Sequence, residues 1–306
     1  MLKYILKRIV SSFVTVWVII TLTFFLMHSI PGGPFEGEKK LPPQVKANLE
    51  AKYGLDKPLS TQYATYLKNV AHGDLGLSMQ YEGRSVNDII ATSFPVSARL
   101  GMAAVFVALV LGILMGIVAA LKQGKWQDNL LMVIATFGVT VPSFVVATLF
   151  IYFFAVKLNI FPAIGLDTPI AYVLPACALG GYSMAFIARL SRSSLIEVIK
   201  QDYIKVAKAK GMSNGVIIFK HALKNSLIPI VTYLGPLVAG ILTGSFVIES
   251  LFGIPGLGRE FVQCISNRDY TTILGVTIFY SAFLITCNLI VDILYVVIDP
   301  RIKLEN

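Results

Sequence analysis

The sequence predicts an all-α polytopic membrane protein of six spans, on three observations: a shortage of charge, six apolar segments of the right length, and a basic bias confined to alternate connections. Of 306 residues, 56% are hydrophobic and only 14% charged, and mean hydropathy is +0.73. Soluble domains carry roughly 25% charged residues, so this chain has too little charge to coat a water-facing globule of its size. That excludes a soluble enzyme, a nucleic-acid binder and a disordered scaffold together. A spanning helix needs about 20 mostly apolar residues. Six segments meet that length: Ile9–Ile30, Gly101–Leu121, Leu130–Val156, Ile170–Ala188, Leu227–Ile248 and Ile273–Ile298. Lipid leaves unpaired backbone groups no partner, which requires helices or a closed barrel. The alternating ten-residue segments of a transmembrane barrel are not seen.

Taking the segments in order, the first follows Lys3, Lys7 and Arg8 and ends at Ser29-Ile30-Pro31-Gly32-Gly33. Its apolar core is too long for a secretory signal, and this end is no A-x-A cleavage site, so it reads as a retained anchor. The third carries Pro142, where a kink or tilt is expected. The fourth is short and interrupted by Pro175 and Gly180-Gly181. Gly112-x-x-x-Gly116 and Gly240-x-x-x-Gly244 have the spacing that lets membrane helices approach closely. Asp292, in the last segment, reads as a hydrogen-bonded packing residue near the water boundary or as one member of a proton relay, and no companion acid or base at helical spacing supports the relay.

Charge orients the chain. The amino terminus is basic without acids, and residues 189–226 carry eight basic residues against Glu197 and Asp202. Residues 31–98 hold seven of each sign. The positive-inside rule therefore places both termini and Arg189–Ser226 in the cytoplasm. The net charge of +9 is thereby a topology signal and gives no reason to expect nucleic acid. Cys177, Cys264 and Cys287 have no metal-site or disulfide spacing.

Three regions follow: residues 1–30, the cytoplasmic terminus and first span; 31–98, an extracytoplasmic amphipathic segment; and 99–306, a five-helix core with a cytoplasmic loop at 189–226. In the second, Val45, Leu49 and Tyr53 recur at helical spacing and stop at Gly54. Tyr63, Leu67 and Val70 do the same before Gly73. These short helices fit either a small cap packed on the spans or a docking platform or lid. In the cytoplasmic loop, Asp202 is the expected N-cap of a short helix Tyr203–Lys210, with Gly211 its stop. A second short helix follows through Val216–Asn225. Ile204, Ala207 and Gly211 share one face, flanked by Lys205 and Lys208. Such a helix suits a groove on a cytosolic partner, or equally an anionic lipid surface. His28 and Glu249 lie near expected outer interfaces, where hydration is cheap. No phosphate-binding G-x-x-x-x-G-K-[ST] occurs, since Gly124-Lys125 is followed by Trp126, and HExxH and GxSxG are missing too. Energy for uphill transport would come from an ion gradient or another subunit.

The run Asp202-Tyr203-Ile204-Lys205-Val206-Ala207-Lys208-Ala209-Lys210-Gly211, followed by His221-Ala222-Leu223-Lys224-Asn225, resembles the coupling loop of ABC-importer permeases in its oligopeptide/dipeptide (OppB/DppB-like) form, and is closest to the oligopeptide branch. Where the general loop has glutamate this chain has Lys205, and Val206 replaces the first alanine. Pro31–Phe35, Gly73–Ser78, Phe94–Gly101, Pro142–Phe144, Glu249–Gly258 and Asp292…Asp299-Pro300-Arg301 are similar to the family in the same order. The resemblance implies a type I ABC-importer permease fold in a bacterial inner membrane and peptide import. Its implied partners are a second homologous permease chain (OppC-like), two cytosolic ATPases (OppD- and OppF-like) holding ATP and Mg, and an extracytoplasmic peptide-binding protein (OppA-like). It implies that Asp202, Tyr203, Ile204, Lys205, Ala207, Lys208, Ala209, Gly211, His221, Ala222, Leu223 and Asn225 form the ATPase-coupling loop. No catalytic residue, metal ligand or cofactor of its own is expected in this chain.

Overall fold

The computed structural model describes residues 2–35, 42–242 and 244–298, and the side chains of residues 6–290 within them. Among these residues the regular structure is helical. Helix α1 (Leu2–Ser29) leads to two short helices, α2 (Pro43–Tyr53) and α3 (Leu59–Ala71), then to the long α4 (Val86–Leu121). Next come α5 (Trp126–Thr140), α6 (Ser143–Phe150, continued as a π-helical turn Ile151–Lys157) and α7 (Val173–Ile199). A hairpin of α8 (Asp202–Ala209), the single turn α9 (Asn214–Val216), a π-helical turn Ile217–Ala222 and α10 (Leu223–Ser226) returns the chain to α11 (Ile228–Leu242). Two short helices, α12 (Phe246–Leu251) and α13 (Leu257–Ser266), precede α14 (Tyr270–Ile298).

Among the described residues four helices are long and apolar enough to cross a membrane: Leu6–Ser29, Val86–Leu121, Pro169–Ile199 and Tyr270–Ile290. The other two expected segments are bent pairs. At Pro142 the bend between Trp126–Thr140 and Ser143–Lys157 is 111°, far sharper than a proline kink. Pro142 sits outside both helices in an extended conformation (ψ 140°) and starts α6 as its N-cap. The second pair, Asn214–Ser226 and Ile228–Leu242, bends by 46°.

Two further boundaries moved. Helix α4 begins 15 residues before Gly101, capped by Ser85, whose Oγ accepts the Asp88 N–H at 3.0 Å. Pro95 lies inside it, and burial of Val86, Ile89 and Ile90 against Leu257 and Val276 outweighs the one hydrogen bond a proline removes. Helix α7 runs on to Ile199, because Ser191 and Leu195 stay buried. The basic loop therefore begins at Lys200, and Arg189–Ile199 is helix.

The α4–α7 pair is the spine. Ala104, Ala108, Gly112 and Gly116 recur every fourth residue on the buried side of α4. A Cβ on Gly112 would stand 2.8 Å from the Met184 carbonyl and 2.9 Å from Ile187, and one on Gly116 would stand 2.6 Å from the Ala188 carbonyl. Gly180 of α7 is just as tight against the Ala104 carbonyl, at 2.6 Å. Backbones in such contact gain dispersion along their whole length, the main attraction available inside lipid. Gly240 and Gly244 do not pack this way. A Cβ on Gly240 would meet nothing within 4 Å. Gly244 lies beyond α11 with φ +82°, in the left-handed region where glycine is needed.

The two ends of α4 differ. At its start, α2 and α3 end where expected: Gly54 (φ 68°) caps α2, and Gly73 (φ 78°) follows α3. Helix α3 packs on α1, where Thr21 and Tyr63 hydroxyls lie 2.6 Å apart and Phe24 stacks on Tyr66. At the other end, about 54 Å away for a helix of 36 residues, Ala120 meets the α8–α10 hairpin.

Candidate coupling site

The hairpin is a folded unit. Ile204 and Ala207 of α8 are buried with Ile217 and Ala222 of the returning π-helical turn, Leu195 of α7 and Ala120 of α4. Small and branched residues at these positions let α8 lie across the ends of two spans. Gly211 takes φ +78° with open space where a side chain would be, and Ser213 Oγ accepts the Val216 N–H to start the next turn. The amide of Asn225 donates to the Tyr203 hydroxyl at 2.9 Å, joining the first helix to the last. Lys205 pairs with Asp202 at 2.8 Å on the surface, an arrangement that contributes little in water.

This geometry corrects the sequence reading in two respects. Asp202 is the first helical residue, and Gln201 is the N-cap without a side-chain hydrogen bond. The small face of Ile204 and Ala207 is turned into the protein, where Ala207 keeps 8% exposure, and is not the surface offered to a partner. The outward face carries Tyr203, Val206, Val216 and Phe219, the last 70% exposed, together with the exposed Lys205, Lys208, Ala209 and Lys210. Lys220 and Lys224 are exposed on the return segment. Ala222 is buried, Leu223 and His221 half-buried, and His221 Nε2 is buried without a hydrogen-bond partner. The outward face thus combines exposed apolar side chains with exposed ammonium groups. Val206 and Phe219 were absent from the expected set because exposure is not written in a short apolar run.

The end of α7 that leads into the hairpin is braced to α5. Arg192 donates Nε and Nη2 to the two oxygens of Asp128 at 2.6 and 2.8 Å, and the Gly124 N–H donates to Asp128 at 2.9 Å. Arg189 Nη2 reaches the Ala135 carbonyl at 3.0 Å. Sequence spacing could not pair residues 64 apart.

At the opposite end Glu249 is fully buried, contrary to the hydrated position expected. Its Oε2 accepts the Arg259 N–H at 3.0 Å, and Ser97 Oγ accepts the Leu257 N–H at 2.9 Å, so the two side chains together satisfy the first turn of α13. Glycines 244, 256 and 258 each lie where a Cβ would collide with the carboxyl, which accounts for glycine at these positions before and after it. Glu249 Oε1 has no hydrogen-bond partner. Burial pushes the Glu249 carboxyl above the usual carboxylate range, outweighing the hydrogen bonds from Ser97 and the Arg259 N–H that lower it. His28 is half-buried and within 3.1 Å of Gln62. The side chain of Asp292 lies outside those described.

Residues 112–304 match the family described as binding-protein-dependent transport system inner membrane component, and residues 1–101 match the amino-terminal region of such membrane components. The chain is 50% identical over 306 residues to the dipeptide transport system permease protein DppB of Bacillus subtilis, covering 100% of this chain and 99% of that one. It is 48% identical over 305 residues to the oligopeptide transport system permease protein OppB of Escherichia coli K12, covering 99% of this chain and 100% of that one. Among solved structures, an amino acid ABC transporter matches with TM-score 0.52 and 18% identity over 68% of this chain and 93% of its own. The inward-facing MetNI methionine ABC transporter matches with TM-score 0.51 and 19% identity over 67% and 95%. These two share the fold. Helices long and apolar enough to cross a membrane, a folded hairpin at one end and full-length relatedness agree: the chain belongs to the family of inner membrane components of binding-protein-dependent transport systems.

Proposed function

We propose that the chain is one of two membrane-spanning permease subunits of an ATP-driven peptide importer. Near 50% identity across the whole length to both a dipeptide and an oligopeptide permease is the observation that carries this reading. In it each bent pair is one span, giving six, and both termini and the Lys200–Ser226 hairpin face the cytoplasm, as the basic bias of the loops favours. The partners are a second permease chain, two cytosolic ATPases that bind ATP and Mg, and an extracytoplasmic peptide-binding protein received by residues 31–98 and the Glu249–Tyr270 segment.

The mechanism follows from stiffness. ATP-driven closure of the ATPases draws a groove holding the outward face of α8 and Phe219 toward the centre. The hairpin moves as a body, since its inner face is a shared core. Helix α7 is continuous from Ile199 to Val173 and acts as a lever, the Asp128–Arg192 brace carries α5 with it, and the 46° bend before α11 gives the fifth span a hinge.

Reconstitution tests this reading. The purified chain alone in vesicles is inert, and adding the second permease chain, the ATPases and the binding protein yields ATP-dependent peptide uptake. Peptide uptake by the lone chain under a proton gradient would instead make it a secondary transporter.

A further inference from the structure

The exposed residues of the spans divide into two kinds. On α4 Arg99 is exposed one turn before Met102, and from there to the end of the helix the exposed positions are Met102, Phe106, Val110, Leu111, Leu114, Val118 and Leu121, all apolar. On α1 they include Phe13, Trp17 and Leu22, and on α5 Leu130, Val133 and Phe137. Such faces suit lipid or another apolar helix. Helix α7 is different: beyond Val173 at its start, its exposed positions Tyr182, Phe186, Arg189, Ser193 and Glu197 are spaced by four, three, four and four residues and form one stripe. Two ionisable groups, a hydroxyl and a phenol on one exposed face are unfavourable against hydrocarbon. Intramembrane charges turn toward a bundle interior or a water-filled cavity. Arg189 lies ten residues from the end of α7, about 15 Å along the helix, within the segment Pro169–Ile199 that is long and apolar enough to cross a membrane.

The stripe continues onto α11. The Phe186 and Tyr233 rings are 4.5 Å apart with 40° between their planes. Pro236 and Gly240, further along α11, are also exposed. These are the two helices joined through the hairpin, so movement of the hairpin changes the separation of the two walls.

We propose that Tyr182, Phe186, Arg189 and Ser193 of α7, with Tyr233 of α11, form the wall of the passage this chain contributes, and that the Arg189 guanidinium contacts the carboxylate of the passing peptide. This rests on the peptide-importer reading above. One guanidinium donor is engaged by the Ala135 carbonyl, which fixes the group at the wall while its remaining N–H groups stay available to a carboxylate. The aromatic rings offer broad apolar surfaces that accept varied side chains without a fixed donor pattern. Arg189 is thus a specificity residue for anionic termini, set among side chains that discriminate little.

The test uses the complete reconstituted transporter, with Cys177, Cys264 and Cys287 replaced by alanine and transport verified. Tyr182→Cys and Ser193→Cys are expected to react with a membrane-impermeant thiosulfonate and to be protected by translocating peptide, while Phe106→Cys and Leu114→Cys stay unreactive. Reaction at positions 182 and 193 no faster than at 106 and 114 would mean that lipid or the second permease chain covers the stripe, and would overturn the proposal. In the same system Arg189→Gln is expected to reduce the preference for a free-acid peptide over its carboxamide by about tenfold, the weight of a hydrogen bond to a charged group. Both proteins are fed by the same binding protein, so a changed ratio belongs to this chain, and an unchanged ratio would remove Arg189 from recognition. If the assembled system moves no peptide at all, the importer reading fails, while the labelling pattern still reports on the stripe.

Discussion

Arg192 grips Asp128 through two hydrogen bonds of 2.6 and 2.8 Å, joining the start of α5 to the last third of α7 just above the hairpin. The carboxylate is 3% exposed and the guanidinium 28%, so the pair lies between a surface bridge and a buried one. Removing either partner leaves the other shielded and unpaired, at a cost of about 2 kcal/mol, between the exposed and buried limits. Arg192→Gln and Asp128→Asn are each expected to lower the melting temperature of the detergent-solubilised transporter. The double variant should be less destabilised than the sum of the two. Additive losses would show that the pair is not coupled.

The spine predicts opposite outcomes for glycines that look alike in sequence. Gly112→Leu places side-chain atoms against the Met184 carbonyl and Ile187, and the backbone atom has no rotamer with which to yield. Overpacking of this kind costs about 1–3 kcal/mol or more. The variant should fail to accumulate in membranes, whereas Gly240→Ala, whose Cβ meets nothing within 4 Å, should accumulate normally. Membrane-fraction immunoblots compare the two.

At the other end, Asp269 holds the loop before α4. It accepts Ser78 Oγ at 2.5 Å, the Met79 N–H at 3.1 Å, and the N–H and hydroxyl of Thr272 at 3.1 and 2.8 Å. It thus caps α14 and pins residues 78–79 at once. Asp269→Ala should open this loop at a cost of about 2 kcal/mol, seen as faster hydrogen exchange in residues 74–85 with the hairpin unchanged. Uniformly raised exchange would show global destabilisation instead.

Glu249 gives a pH dependence of defined sign. Its folded carboxyl holds the proton to higher pH than the unfolded chain does, so its contribution is complete below the ordinary carboxylate range and is lost as pH rises through the raised folded value. Glu249→Gln removes that titration. Melting temperatures of the wild type should therefore fall more steeply than those of the variant as pH rises from the carboxylate range. Parallel curves would mean that Glu249 is ionised in the fold at no cost.

Much of this was legible in the residues. The glycines after Tyr53 and Ala71 marked helix ends correctly, since a left-handed terminal residue is a local demand. Gly112 and Gly116 pack as their spacing suggests, whereas Gly240 and Gly244, with the same spacing, do not. What sequence missed was set by tertiary contact. The length of α4 and α7 depends on burial against other helices, the Asp128–Arg192 and Ser78–Asp269 pairs join distant positions, and Glu249 is enclosed by glycines that a local reading takes for a flexible loop. The orientation of α8 failed for a related reason: an amphipathic pattern says that one face is covered, but not by what, and here Ile204 and Ala207 are covered by the chain itself.

The outward face of the hairpin is proposed above as the surface at which an ATPase engages this chain. Photo-crosslinking amino acids placed singly at Val206, Phe219 and Ala207 in cells expressing the whole transporter test it most directly. Positions 206 and 219 are expected to capture a nucleotide-hydrolysing subunit, identified by mass spectrometry, and buried position 207 is not. Capture of no ATPase at 206 and 219, or capture at 207 alone, would contradict it.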